Sequence, residues 1–453
     1  MKPICAISTP FGTGGIAVIR VSGEGVHALV DRLFKANTSL KDAKPGTVHF
    51  GRIERNGETL DEVLCSIFRA PHSFTGEDTV EIACHGSLFI QQELLRWLID
   101  AGCRAAEPGE FTQRAFLNGK MDLTQAEAVA DLIAAQSKAE KDLALSQLRG
   151  SVSDELAQLR ERLLHFTSLV ELELDFADHE ELEFADRTQL VTLADEIEYK
   201  LDKLLASFRT GNAIRHGIPV AIIGAPNVGK STLLNALLGE QRAIVSDIRG
   251  TTRDTIEETL VIDGILFRLI DTAGLRETDD VLENMGIERS RKAAQNAQVI
   301  ITLLEPQMNE ALTRENREKN ERILDFTAGF TDIIAYNKAD TLSPLEREQL
   351  GKNAILISAK NGDVEPLRRE LVRLARETMD TSAVMLSNAR HYEAITRAHD
   401  AIKRVQEGLE NKLSGELLSL DLQDCLSALG EVTGQITNTE VLQNIFSKFC
   451  IGK

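Results

Sequence analysis

Gly224 to Ser231 read GAPNVGKS, the spacing GxxxxGK[ST], set between a β-branched run and an apolar helical pattern. Residues of these types at this spacing hold phosphate. Backbone N–H groups along Asn227, Val228, Gly229, Lys230, Ser231 and Thr232, backed by a helix N-terminus, stabilise the anion. Lys230 reaches the β- and γ-phosphates, and the Ser231 hydroxyl ligates Mg²⁺. Taken alone, the motif fits an ATPase as well as a GTPase.

Four further stretches narrow it. SDIRGTT places Ser246, Asp247, Ile248, Arg249, Gly250, Thr251 and Thr252 where a first switch loop belongs, with Thr252 as a second Mg²⁺ ligand. DTAG follows a strand-like run: Asp271 can hold Mg²⁺ through water, Thr272 and Ala273 line the turn, and Gly274 offers its N–H to the γ-phosphate. NKAD supplies Asn337, Lys338 and Asp340, and a carboxylate there pairs with N1–H and the 2-amino group of guanine. Adenine lacks that pair of donors. SAK, Ser358, Ala359 and Lys360, fits the loop that closes over the base. Each stretch alone reads as a surface loop; the five in this order read as a guanine-nucleotide unit. The residue after DTAG is Leu275, which cannot orient a water, so hydrolysis needs another group.

The elements that position these motifs show three textures. Up to about residue 118, AVIRVSG, TVHFGRIE and VLCSIFRA alternate as strands, and LFIQQELLRWLIDAG reads as a helix with Trp97 in the core. From Asp122 the period becomes helical. Thr124 and Glu127 fit a capping box, and Leu156, Leu159 and Leu163 recur on one face. Helices continue to about Arg209, with breaks at Gly150 and near Asp178. Strand and helix patterns then alternate to about residue 376, as in an α/β domain, and the remainder is helical. The simplest architecture is a helical domain interrupted by an inserted α/β domain. GTGGIA, Gly12 to Ala17, matches a dinucleotide fingerprint superficially, but a strand follows it instead of a helix, so it reads as a turn.

Composition sets outer bounds. The 453 residues suffice for two to four domains, with 43% hydrophobic and 27% charged residues. No apolar run approaches the roughly 20 residues that span a bilayer, and MKPICAISTP lacks a signal-peptide core. The expectation is a cytoplasmic protein with no membrane partner. Six scattered cysteines fit reduced thiols. The net charge of −19 argues against a dedicated nucleic-acid binder, so any RNA contact needs a local basic surface. Eight carboxylates between Glu171 and Asp186 read as a solvated helix end and loop.

TPFGTGGIAVIRVSG, SFTGEDTVEIACHG, PGEFTQRAFLNGKMDLTQAEA, GTTRD, DTAGLRET and the terminal FCIGK together resemble the tRNA modification GTPase MnmE (TrmE) family, over essentially the whole chain. The resemblance implies a multidomain α+β and α/β protein. Residues 1–118 would form an α+β folate-binding and dimerisation domain. Residues 119–214 and 379–453 would form a discontinuous all-α helical domain, and 215–378 an inserted Ras-like P-loop α/β G domain. It further implies GTP hydrolysis coupled to addition of an aminomethyl-type (carboxymethylaminomethyl) group at C5 of the wobble uridine of certain tRNAs. The partners would be tRNA, an FAD-containing MnmG-type protein in a heterotetramer, and a second copy of the chain. The alternative class, a ribosome-assembly switch of the Era or Der type, would carry a KH-type GxxG stretch after the G domain or a second P-loop; the sequence shows no such stretch there and no second P-loop.

Residue by residue, the resemblance makes K⁺ a cofactor beside Mg²⁺. It assigns Asn227, Ser246, Ile248 and Thr251 to K⁺, and K⁺-dependent pairing of G domains to hydrolysis. Glu283 matches the catalytic glutamate that orients the attacking water, although by itself it reads as a surface helix residue. Arg253 and Arg276 read as supporting residues. Arg20, Glu81, Lys120 and Lys453 match the binding positions for 5-formyltetrahydrofolate or a related one-carbon folate. Cys450 has two readings: a small buried hydrophobe, or a thiol near the folate that adds to the uracil ring. Cys84 and His85 are read as structural.

Overall fold

A computed structural model describes residues 2–175, 186–239, 258–270, 291–306, 313–350, 354–378, 384–449 and 451–452. Contacts divide the chain into two compact units. One comprises Met1–Ala130, Gln147–Ile197 and Arg397–Lys453; the other comprises Asp131–Ser146 and Glu198–Thr396.

The first unit holds a sheet of β1 (Ile4–Ile7), β2 (Gly14–Ser22), β3 (Phe34–Lys35), β4 (Val48–Arg55), β5 (Glu58–Phe68), β6 (Thr79–Gly86) and β7 (Arg104–Ala105), in the order β3-β4-β5-β6-β2-β1-β7. Of the stretch Gly12 to Ala17, read as a turn, only Gly12 and Thr13 precede β2; Gly14 to Ala17 already belong to the strand, and no helix follows. One face of the sheet is covered. Ile19, Val21, Ile53, Val63, Cys65, Ile67, Val80 and Ile82 are buried with Leu94, Trp97 and Leu98 of helix Leu88–Asp100. The opposite face has a different character. Phe50 pairs with Leu64, Leu64 with Ala83, and Ala83 with Val18, and Phe50 and Leu64 are exposed together with Val48 and Ile16.

The same unit holds a helical part. Helix Ser151–Asp175 buries Leu156, Leu159 and Leu163 at the expected spacing, and lies along helix Gly415–Thr433. Helix Leu123–Ala134 corrects the expected capping box. Asp122 Oδ1 accepts from Gln125 N at 2.9 Å, while Gln125 Oε1 accepts from Asp122 N at 3.0 Å. Thr124 sits inside the first turn, buried, and donates Oγ1 to Val432 O at 3.1 Å. The cap starts two residues earlier because Leu123 is already helical and fully buried.

The second unit contains β8 (Ile218–Gly224), β9 (Glu258–Ile262), β10 (Ile265–Leu269), β11 (Val299–Leu304), β12 (Asp332–Tyr336) and β13 (Ile355–Leu356), in the order β13-β12-β11-β8-β10-β9. All neighbours are parallel except the β9–β10 hairpin. Parallel sheets bury both faces, which explains the unbroken apolar run in β8. Val220 and Ile222 face a core shared with Leu233 and Leu237 of helix Lys230–Gly239 and Leu367 and Leu371 of helix Glu365–Thr378. Ala221 and Ile223 face the other side, against Ile323 and Phe326 of helix Thr313–Thr327.

Candidate nucleotide site and a second charged cluster

In an open parallel sheet, ligands bind beyond the carboxyl ends of the strands. Three of the five motifs lie there: the phosphate loop after β8, NKAD after β12 and SAK after β13. Asn227 takes a left-handed conformation at φ 60° and is exposed, while Val228 is buried beneath it. A Cβ at Gly229 would lie 2.3 Å from Asn337 Nδ2, so only glycine permits this approach. Lys230 opens the helix, and its Nζ donates to Gly224 O and Ala225 O, both at 2.9 Å. Burial pushes the Lys230 ammonium below its ordinary range. Ser231 and Thr232 are exposed in the first helical turn.

Asn337 ties the three motifs together. Its N–H donates to Leu304 O at 2.9 Å, its Nδ2 to Val228 O at 2.8 Å, and its Oδ1 accepts from Ala359 N at 3.0 Å. Asp340 is exposed beside it, and its Oδ1 accepts from Ser358 Oγ at 2.6 Å. That hydrogen bond is the main reason the Asp340 carboxyl is held below the usual range; Lys360 and Arg347 add to it. Lys338 is left-handed at φ 62° and pairs with Glu305 Oε2 at 2.9 Å. The geometry presents an ionised, oriented carboxylate next to a phosphate loop. Asn337 as a fastener is not visible in the motif spacing, because its partners lie over a hundred residues away in Val228 and over twenty away in Ala359.

Ser246, Asp247, Ile248, Arg249, Gly250, Thr251, Thr252, Arg253, Asp271, Thr272, Ala273, Gly274, Leu275, Arg276, Glu283, Cys450 and Lys453 lie outside the described residues.

A second cluster lies in the other unit. Arg20 and Glu81 are cross-strand partners on β2 and β6, with Arg20 Nη2 2.8 Å from Glu81 Oε1. The Arg20 guanidinium carbon is 5.3 Å from the centre of the Phe74 ring and 5.6 Å from that of Phe111. Lys120 Nζ donates to Pro71 O at 3.0 Å, and Asn118 Nδ2 to Thr75 O at 2.7 Å, so both hold the loop that carries Phe74. A buried ion pair anchors that loop: Arg114 Nη1 lies 3.0 Å from Glu77 Oε2, and Arg114 Nη2 lies 2.9 Å from Glu110 Oε1. Burial opposes ionisation of Glu110, but the Glu107 N–H, Arg104 and Arg114 outweigh it and hold its carboxyl low. Sequence reasoning missed this anchor, although Glu77, Glu110 and Arg114 lie within the quoted FTGED and PGEFTQR stretches.

The chain end returns to this sheet. Ser8 Oγ donates to Gly452 O at 3.1 Å, just past β1, and in β1 Ala6 pairs with Arg20. Cys84 is buried, its thiol pushed up to about 11 by desolvation first and then by Asp61. His85 is exposed, with Nδ1 2.7 Å from Asp61 Oδ1. Neither arrangement is a metal site. Among the described residues no helix is long and apolar enough to cross a membrane.

Residues 3–120 match the family model of the GTP-binding protein TrmE N-terminus, and residues 123–450 that of the MnmE helical domain. The tRNA modification GTPase MnmE of Parabacteroides distasonis is 54% identical over 469 residues, covering 100% of both chains. Those of Bacteroides thetaiotaomicron and Flavobacterium johnsoniae are 50% identical, each covering 99% of both chains. Among solved structures, Era in complex with MgGDPNP and nucleotides 1506–1542 of 16S ribosomal RNA aligns at a TM-score of 0.26 and 26% identity, over 40% of this chain and 65% of that one. At that score the likeness carries no structural argument. The full-length identity and the two family matches do: this chain belongs to the MnmE family of tRNA modification GTPases.

Proposed function

We propose that this chain is the GTP-hydrolysing component of a tRNA wobble-uridine modification system, working with a one-carbon folate and a flavoprotein partner. The observation that carries the nucleotide part is the Asn337 junction. It locks the phosphate loop and the SAK loop around a carboxylate that Ser358 holds ionised. Asp340 accepts from N1–H and the 2-amino group of guanine. Adenine presents an acceptor at N1 and would leave the carboxylate unpaired, a costly mismatch. Lys230 exchanges two neutral carbonyls for phosphate oxygens, a charge-assisted and stronger pairing.

The donor set fits the metals this reading needs. Ser231, exposed in the first helical turn, would hold Mg²⁺ with Thr252, and Asp271 would do so through water; the ion neutralises charge between the β- and γ-phosphates. Asn227, left-handed and exposed at the loop, would hold K⁺ with Ser246, Ile248 and Thr251; the ion supplies the positive charge that an arginine finger supplies elsewhere. Glu283 orients the water that Leu275 cannot. Arg20, Glu81, Lys120 and Lys453 bind 5-formyltetrahydrofolate: the carboxylate pairs with the amide-like pterin edge, and the cations with the glutamate tail. The exposed row of Phe50, Leu64 and Val48 is an apolar sheet face of the kind that pairs with a second copy, which supports a homodimer built on the N-terminal sheet. The wider assembly is a heterotetramer with an MnmG-type FAD protein, acting on tRNA in the cytoplasm.

Phosphate release from GTP is expected to rise at least tenfold when K⁺ replaces Na⁺ at constant ionic strength, and tRNA from a strain lacking this gene is expected to lose the modified wobble nucleoside by mass spectrometry. Equal rates in the two salts would remove the K⁺ assignment. An unchanged nucleoside profile would remove the tRNA role.

A further inference from the structure

The hairpin between β9 and β10 turns on two residues, Asp263 and Gly264, both left-handed at φ 51° and 78°. This is the two-residue geometry of a tight, right-twisted hairpin. Its tip meets a helix far away in sequence. Gly264 O accepts from Ala139 N at 3.1 Å, and a Cβ placed on Gly264 would sit 3.1 Å from Lys138 Cβ. Ala139 lies in the first turn of helix Lys138–Leu148, where backbone N–H groups have no partner within the helix. Ser137 and Glu140 serve the neighbouring groups of that turn as a reciprocal cap: Glu140 N donates to Ser137 Oγ at 3.2 Å, and Glu140 Oε2 accepts from Ser137 N at 3.3 Å. The hairpin carbonyl takes the Ala139 N–H, which lies between them. On the other side of the elbow, Arg215 Nη2 binds Asp131 Oδ1 at 2.7 Å. Asp131–Ser146 therefore groups with the nucleotide unit, whereas the residues before Asp131 and after Ser146 group with the other.

The opposite ends of the same two strands lead towards the nucleotide. β10 is parallel to β8, with Leu269 opposite Val220, so both strands run out at the edge that carries the phosphate loop. In sequence β10 continues into Asp271–Gly274, and β9 follows closely on Gly250–Thr252. The ribbon between is paired without a break from Ile265↔Ile262 to Leu269↔Glu258. A continuous two-stranded ladder with a buried face shifts as one body, because its register cannot slip by a residue without turning its core face outward.

We propose that the β9–β10 hairpin is a relay, through which the state of the nucleotide is transmitted to the elbow at residues 136–140 by the Gly264–Ala139 contact. The proposal rests on the guanine-nucleotide reading and adds to it an output point on the helical chain. The relay is a coupling between two places, so its signature is a difference at one when the ligand changes at the other.

Hydrogen exchange on the full chain tests it, comparing GDP with a non-hydrolysable GTP analogue, both with Mg²⁺ and K⁺. The amides at the start of helix Lys138–Leu148 are expected to exchange at rates differing by about fivefold or more between the two states. Gly264→Asn keeps the left-handed turn, which asparagine tolerates, but adds the Cβ that crowds Lys138. In that variant the difference is expected to fall to about onefold, while fluorescent GDP binds as in the parent. Adding Lys138→Gly removes the opposing Cβ, and the difference is expected to return. Identical exchange in both nucleotides in the unmodified chain overturns the relay, as does a full difference retained in Gly264→Asn. Should Gly264→Asn fail to fold, the unmodified chain alone decides. Failure of the unmodified chain to bind fluorescent GDP overturns the guanine reading itself, and the relay with it.

Discussion

Asn337 uses both ends of its amide and its backbone N–H, at 3% exposure. Removing the side chain leaves Val228 O and Ala359 N without partners in a buried place. Asn337→Ala is expected to cost the nucleotide unit about 3 kcal/mol, read from urea unfolding, because an orphaned buried group loses its full desolvation energy. Asp340 is a different case: it is exposed, and the proposed function gives it the recognition of guanine. Asp340→Asn is expected to weaken GDP by about tenfold to a hundredfold and to shift preference towards the xanthine nucleotide, whose 2-oxo group accepts where guanine donates. Competition of GDP and the xanthine analogue against fluorescent GDP measures it, and an unchanged order of preference would count against the assignment. The place of Asp340 just past β12 was legible in the sequence because its motif is local. Asn337's fastening was not, because it depends on which strands become neighbours.

At the scale of elements, alternation shows strands well, and β2, β4 and β5 fall where the β-branched runs lie. Alternation does not say which face is covered. Phe50 and Leu64 are apolar, yet they are exposed on the face opposite Val63 and Cys65. The capping box shows a related limit: Thr124 fits the pattern, but burial against Val432 O employs its hydroxyl elsewhere. The chain end is an element whose placement no local signal announces. Gly452 is at φ 95°, and a Cβ there would lie 2.2 Å from Ile7 O. Gly452→Val is thus expected to dislodge the tail and with it Lys453. Affinity for 5-formyltetrahydrofolate should fall at least about tenfold, the worth of one lost charged contact of roughly 1.4 kcal/mol, with GDP binding unchanged. Titration calorimetry with each ligand separates the two. Undiminished folate affinity would detach the tail from that site.

For the whole molecule, the two charged sites belong to different compact units, each with its own sheet and its own core. The order of the textures made the two separate sheets legible, since a helical pattern stops before β8 and resumes after helix Glu365–Thr378, whereas the borders of the compact units fall inside helices Arg187–His216 and Ala389–Glu410. The assignment of Asp131–Ser146 to the nucleotide unit was not legible, because it arises from a hairpin tip that meets a helix start. Separate cores imply separable binding. Lys230→Ala removes the cation that closes the phosphate loop but touches nothing in the sheet of Arg20 and Glu81, so it is expected to bind 5-formyltetrahydrofolate within about twofold of the parent and to lose GTP hydrolysis by about a hundredfold or more. Arg20→Ala combined with Lys120→Ala is expected to do the reverse: folate binding is lost, and K⁺-stimulated phosphate release persists. Neither variant is expected to restore the modified wobble nucleoside to tRNA in a strain lacking the parent, since the proposed function uses both sites. Calorimetry with folate and a phosphate-release assay on the same two purified proteins decide the matter. If the folate variant stays folded by circular dichroism yet loses its intrinsic GTPase activity, the sites are not independent, and the folate must be part of the nucleotide machinery.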